Sequence, residues 1–196
     1  MKLATYHAGQ AARLGAIVGD TLVDLHSVGF PATMLEFVQG GRALWQRAAA
    51  AVNGWTGATI PLSAARLLAP LPNPGTIIAI GHNYMDHCRE QKVQPPARPL
   101  IFAKFPTAII GPGDTITWDT SVTQQVDFEV ELAVIIGQRT KNASQDKALA
   151  AVFGYTVLND ISARDLQFSD GQWVRAKSLD TFAPMGPVIV TADAIA

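Results

Sequence analysis

Alternation of apolar and polar positions is sharpest over Val126-Asp-Phe-Glu-Val-Glu-Leu-Ala-Val-Ile-Ile-Gly137, where acids interleave with apolar residues before the run turns wholly apolar, as a strand entering a core does. In an extended chain Asp127, Glu129 and Glu131 project from one face, each ~6.5–7 Å from the next, while Phe128, Val130 and Leu132 project from the other. Three carboxylates on one face repel each other and resist leaving water, so that face is either solvated or shared with something cationic. If the carboxylates stand alone, removing one relieves repulsion and costs the metal-free protein little stability, or adds some.

Elsewhere the pattern predicts a chain rich in short strands. Leu3 to His7, Leu14 to Val18 and Thr21 to Leu25 read as strands, with Gly19-Asp20 as a turn. A helix follows over Pro31 to Val52, interrupted at Gly40-Gly41. The prolines of Ala69-Pro-Leu-Pro-Asn-Pro-Gly75 forbid helix and suit a stiff linker, which divides the chain into a small N-terminal α+β unit, residues 1–69, and a larger unit, 70–196. Thr76 to Ile80 has the character of a buried strand, Gly81 permits a turn, and Asn83 can cap a helix carrying His87 and Glu90. Strands are expected at Leu100 to Phe105, which carries Lys104, and at Thr115 to Trp118. A helix capped by Ser144 leads to a strand over Tyr155 to Leu158, then Asn159-Asp160 and a short helix. Phe168 to Pro187 reads as a long ordered loop holding Lys177 and Asp180, and Val188 to Thr191 as a last strand.

Composition narrows the class without naming a function. Of 196 residues, 48% are hydrophobic and 16% charged, which is globular, and a formal charge of −1 gives no reason to expect nucleic acid or an anionic membrane as partner. A single cysteine, Cys88, rules out an internal disulfide framework and reads as a packed small hydrophobe. The N-terminus lacks a signal-peptide core and no segment has the length of a membrane span, so a cytoplasmic protein is expected.

Glu129, Glu131 and Asp160 form an all-oxygen set suited to a hard divalent cation, Mg²⁺ or Mn²⁺. Arg164 and Gln167 follow Asp160 at helical spacing. His87 and Glu90, three apart on a helix, fit a carboxylate-oriented general base and equally an ordinary surface pair. His7 and His26 are isolated and read as structural.

From about residue 76 to 191 the sequence resembles the fumarylacetoacetate hydrolase family, carried by four blocks in that family's order: Gly81-His-Asn-Tyr-Met-Asp-His87, Asp127 to Gly137, Gly154 to Asp165, and Lys177 to Pro187. The resemblance implies a mostly β, α+β fold, a mixed-sheet barrel-like roll with a small N-terminal domain, and a homodimer. It implies a divalent cation, Mg²⁺ or Mn²⁺ with Ca²⁺ as an alternative, on Glu129, Glu131 and Asp160; a catalytic His87, Glu90 and Lys177; and substrate contacts from Tyr84, Arg164 and Gln167. Asp127 matches no such position and reads as structural. The implied substrate is a small 2-oxo acid, and the implied reaction is hydrolytic carbon–carbon cleavage of an acylpyruvate. Oxaloacetate decarboxylation and keto–enol isomerisation are alternatives at the same metal. Members of the family continue through further strands and a Thr-Gly-Thr-Pro-like turn, whereas this sequence stops at Ala196, which implies a C-terminally shortened catalytic domain and keeps open a member whose acids only bind a structural cation.

Overall fold

In the computed structural model, which describes residues 1–195, the N-terminal alternation folds as the meander β1 (Lys2–Ala8), β2 (Ala11–Val18) and β3 (Thr21–Asp24). The expected helix divides at the glycines into α1 (Met34–Gln39) and α2 (Gly41–Val52). Thr33 begins α1 with a reciprocal cap, its hydroxyl accepting from the Glu36 N–H while the Glu36 carboxylate accepts from the Thr33 N–H. Gly41, at φ 76°, makes the break that a residue with a Cβ resists. Then come β4 (Ile60–Pro61), β5 (Leu67–Leu68), β6 (Ile77–Gly81), α3 (Met85–Glu90), β7 (Leu100–Lys104), β8 (Ile109–Ile110), β9 (Val126–Asp127), β10 (Val130–Ile136), α4 (Gln145–Ala150), β11 (Val152–Asn159), β12 (Ser162–Ala163), α5 (Arg164–Ser169), α6 (Val174–Lys177) and β13 (Ala183–Thr191).

One nine-stranded sheet runs β10-β11-β13-β1-β2-β3-β4, with β5 on β1 and β8 parallel to β13; β6-β7 and β9-β12 form two small antiparallel ribbons. The N-terminal residues join this sheet directly, Lys2 opposite Val190 and Leu3 opposite Ile189. The main core lies where α1 and α2 cover the sheet: Phe37 and Phe153 meet edge to face at 6.1 Å, Trp45 and Phe153 at 4.7 Å, with Leu3, Leu14 and Ile189 fully buried beside them. A second cluster, Ala108, Ile161, Ala163, Leu166, Ala176 and Phe182, packs α5 and α6 against β12 and supports the residues of the site. No helix among the described residues is long and apolar enough to cross a membrane.

Several local expectations are corrected. Residues 115–118 form no strand, and β13 begins at Ala183, shortening the expected loop, whose Lys177 ends a helix. Neither Asn83 nor Ser144 caps through its side chain; Tyr84 stands at the N-cap of α3 instead. The strand after the prolines is not buried, because the ribbon β6-β7 is covered on one face and Ile78 remains 65% exposed. The acid-bearing stretch is two strands, broken at Phe128-Glu129, and of the two alternatives for its acid face the shared one holds: Phe128, Val130, Leu132, Val134 and Ile136 are exposed, while Glu129 and Glu131 are half-buried. The reason is that cations wait on the acid side.

Candidate active site

Strand ends and short helices bring the charged groups together. Asp160 follows β11, and its N–H donates to the Glu129 carbonyl at 2.8 Å, while the Glu129 N–H donates to Asn159 Oδ1 at 3.1 Å, so the kink after β9 is locked to the end of β11. Oxygens of Glu129, Glu131 and Asp160 then lie within 4.8 Å of one another.

Lys104, at the end of β7, is the residue that sequence reasoning left unassigned. Its ammonium donates to Asp160 Oδ1 at 2.7 Å, to the Ile161 carbonyl at 3.3 Å and to the Lys177 carbonyl, with both side chains of the ion pair 1% exposed. Burial pulls the Lys104 pKa below the ordinary lysine value, against the attraction of Asp160. Three acceptors match the three N–H bonds of the charged form, so the pocket is built around an ammonium. The only signal in the sequence was a lysine in an apolar strand, where a charge is costly unless paired.

Lys177 bridges the cluster, donating to Glu129 Oε2 at 2.7 Å and Asp160 Oδ2 at 2.8 Å over the Phe102 ring. Arg164 meets Glu129 Oε1 at 2.6 Å, Asp127 Oδ2 at 2.8 Å and Gln167 Oε1 at 2.8 Å. Burial opposes the charge on Glu129, but Lys177 and Arg164 outweigh it and hold its carboxyl below the usual range. Four acids, Asp127 included, thus face three cations, and Glu131 is the acid that no described cation pairs. Burial, with Asp160 and Glu129 beside it, pushes the Glu131 carboxyl up to about 7.

Across the same cleft stand His82, Tyr84, His87 and Gln91, with Trp173 and Phe102 walling it. Trp173 approaches so closely that a Cβ at Gly81 would come within 2.6 Å of its ring, which is why a glycine ends β6. His87 Nδ1 lies 3.7 Å from Glu90 Oε2, beyond hydrogen-bonding reach, and Glu90 is 81% exposed. Gln167 lines the cleft, whereas Arg164 stands behind it, tied to acids. The Tyr84 hydroxyl accepts the Leu132 N–H at 2.9 Å, closing the outer edge of β10 as well as lining the cleft. Buried Cys88 donates its S–H to the His82 carbonyl at 3.4 Å and so anchors that turn.

Residues 76–196 match the family described as fumarylacetoacetate (FAA) hydrolase, C-terminal. The chain belongs to the fumarylacetoacetate hydrolase family. Among curated relatives, it is 41% identical over 182 residues to the rat mitochondrial oxaloacetate tautomerase Fahd2a, covering 91% of this chain and 58% of that protein. It is 42% identical over 168 residues to human mitochondrial oxaloacetate tautomerase FAHD2A, covering 85% of this chain and 53% of that protein. The chain thus spans little more than half the length of these curated relatives. Among solved structures, a fumarylacetoacetate hydrolase from Exiguobacterium antarcticum matches with TM-score 0.78 and 36% identity, over 100% of this chain and 68% of that one. Maleylpyruvate hydrolase from Sphingobium sp. SYK-6, in complex with manganese(II) and pyruvate, matches with TM-score 0.79 and 32% identity, over 100% and 69%. The fold shared with these family members is mixed α+β and mostly strands, without a closed barrel among the described residues.

The donor set fits a hard divalent cation: all ligands are oxygens, and a carboxylate oxygen that accepts an N–H keeps a lone pair for a metal. Glu131, elevated and unpaired, supplies a pH test. Between its unfolded value of 4.5 and its folded value of about 7, the folded protein keeps a proton that the unfolded chain has lost. Its contribution to metal-free stability therefore falls as pH rises through that window. Chemical denaturation of Glu131→Gln against wild type in chelator should show the variant's pH dependence flattened there. Parallel stability curves would mean that Glu131 is not held in this state.

Proposed function

We propose that this chain is a metal-dependent keto–enol tautomerase of a small 2-oxo dicarboxylic acid such as oxaloacetate. The observation that carries this reading is its 41% identity, over 91% of its length, to a protein named as an oxaloacetate tautomerase. The same relatives favour keto–enol isomerisation over the acylpyruvate hydrolysis that leads the sequence-based expectation. Glu129, Glu131 and Asp160 would hold the cation, Mg²⁺ or Mn²⁺, which when bound supplies Lewis acidity toward the 2-oxo group.

The chain's own groups then move the proton. His87 Nε2 removes a proton from the carbon beside the carbonyl and becomes an imidazolium; the bonding pair shifts to form the carbon–carbon double bond, the 2-oxo oxygen takes up charge, and that oxygen then receives the proton back, which restores the neutral ring. Lys177 places its Nζ donor beside the carboxylates where that charge develops. Lys104 and Arg164 hold Asp160 and Glu129 in place without lining the cleft.

A second reading is favoured by the maleylpyruvate hydrolase with manganese and pyruvate. On it, His87 takes the proton of a water that attacks the distal carbonyl of an acylpyruvate. Purified protein with Mg²⁺ or Mn²⁺ separates the two. Accelerated decay of enol-oxaloacetate absorbance without pyruvate release from an acylpyruvate supports tautomerisation; pyruvate release without that acceleration moves the assignment to hydrolysis. A homodimer, implied by the family resemblance, belongs to the same proposal and is tested by the solution mass of the chain.

A further inference from the structure

His82, Gln91 and His87 form a linked set that neither the metal nor the carboxylates require. Gln91 follows α3, one turn beyond His87, and its N–H donates to the His87 carbonyl at 3.0 Å. Its side chain turns back between the two imidazoles, with Oε1 3.1 Å from His82 Nε2 and Nε2 3.0 Å from His87 Nε2. The amide has one accepting end and one donating end, so the two rings cannot present the same kind of nitrogen to it. With His82 Nε2–H donating to Oε1, the amide N–H faces the lone pair of His87 Nε2, and the His87 proton resides on Nδ1. Glu90, on the Nδ1 side of that ring at 3.7 Å, favours the same arrangement.

The placement of His82 is itself constrained. It adopts φ 52°, a left-handed conformation costly for a residue with a Cβ. Its ring lies between His87, at 6.1 Å, and Trp173, met edge-on at 5.9 Å. The strained turn thus brings the His82 ring against the His87 ring, the Trp173 ring and the Gln91 amide.

We propose that Gln91 is a positioning residue that fixes the neutral tautomer of His87, presenting the Nε2 lone pair to the cleft, and that His82 sets which end of the amide does so. The Gln91 N–H occupies the direction from which a substrate proton must reach Nε2, so substrate displaces it and finds a ring already in the base form. This rests on the reading of His87 as the proton-transfer group, and its test does not depend on activity. An isolated imidazole favours the proton on Nε2, so the proposed Nδ1–H form has to be imposed.

Nitrogen-15 correlation spectra of the full chain, at a pH where the four histidines are neutral and assigned by substitution, read the tautomer directly. Wild-type His87 should show a bare Nε2. Gln91→Leu should return the proton mainly to Nε2, and Gln91→Glu, whose carboxylate only accepts, should do so fully. His82→Phe, which frees the amide to turn over, should give a mixture. With Mg²⁺ and oxaloacetate, Gln91→Leu should lower kcat on the order of 10- to 100-fold with KM little changed. A wild-type His87 protonated on Nε2, or an unchanged nitrogen pattern in Gln91→Leu, overturns the assignment. A changed pattern with wild-type kcat overturns its role in turnover. If the chain lacks tautomerase activity altogether, the spectra still decide the tautomer, so failure of the functional reading and failure of this one are distinguishable.

Discussion

Asp160→Ala should lower the metal-free stability of the chain by about 3–5 kcal/mol, the cost of breaking a buried ion pair by removing one partner. The carboxylate is 1% exposed and accepts from both Lys104 and Lys177, so its loss leaves the buried Lys104 ammonium without a carboxylate and Lys177 with Glu129 alone. Against a typical total of ~5–15 kcal/mol this is a large fraction. Urea denaturation in chelator measures it, and Mg²⁺ added afterwards should stabilise wild type and leave the variant unmoved. Lys104→Met should also destabilise, and the double variant should lose less than the sum of the two. Carboxylates considered alone predict little loss or a gain, because removing one of three mutually repelling acids relieves the others. An Asp160→Ala protein as stable as wild type would restore that view, and one keeping its full Mg²⁺ shift would remove Asp160 from the ligand set.

The second large effect is kinetic. His87→Ala should reduce oxaloacetate tautomerisation by ~10²–10⁴, the range for loss of a general base, with Mg²⁺ affinity unchanged because His87 lies across the cleft from the carboxylates. Glu90→Ala should cost far less, since that carboxylate is 81% exposed and 3.7 Å from the ring. Metal-assisted decarboxylation needs only the electron sink, so any decarboxylation of oxaloacetate should survive His87→Ala. Stopped-flow decay of the enol and pyruvate release, followed on the same samples, resolve the two. Equal loss of both would mean that His87 does something other than transfer the substrate's proton, and wild-type turnover would return it to an exposed surface pair.

Sequence alone determined the grouping of the site and most of the local elements. Helical spacing left His87 and Glu90 equally a surface pair until the family resemblance pointed to them, but alternation over 126–137 put Glu129 and Glu131 on one face and the strand end singled out Asp160, because side-chain direction follows local geometry with period two in strands and about 3.6 in helices. The meander of residues 2–24 and the division of α1 from α2 at Gly40-Gly41 were legible for the same reason. What neutralises the acids was not legible. Lys104 lies 56 residues from Asp160, and only the approach of β7 to the end of β11 brings them together. Nor could alternation say which face of β10 is open: it distinguishes two faces, but whether the acids look outward or inward depends on the cations Lys104, Lys177 and Arg164 that other segments deliver. The coupling of His82 to His87 through Gln91 had no periodic signature either, since it needs a left-handed residue in the turn before α3 and a side chain folding back from the turn after it. Periodicity is fixed by the backbone and can be read from the chain, whereas the pairing of a buried charge is a relation between distant segments and is settled only when the strands are packed.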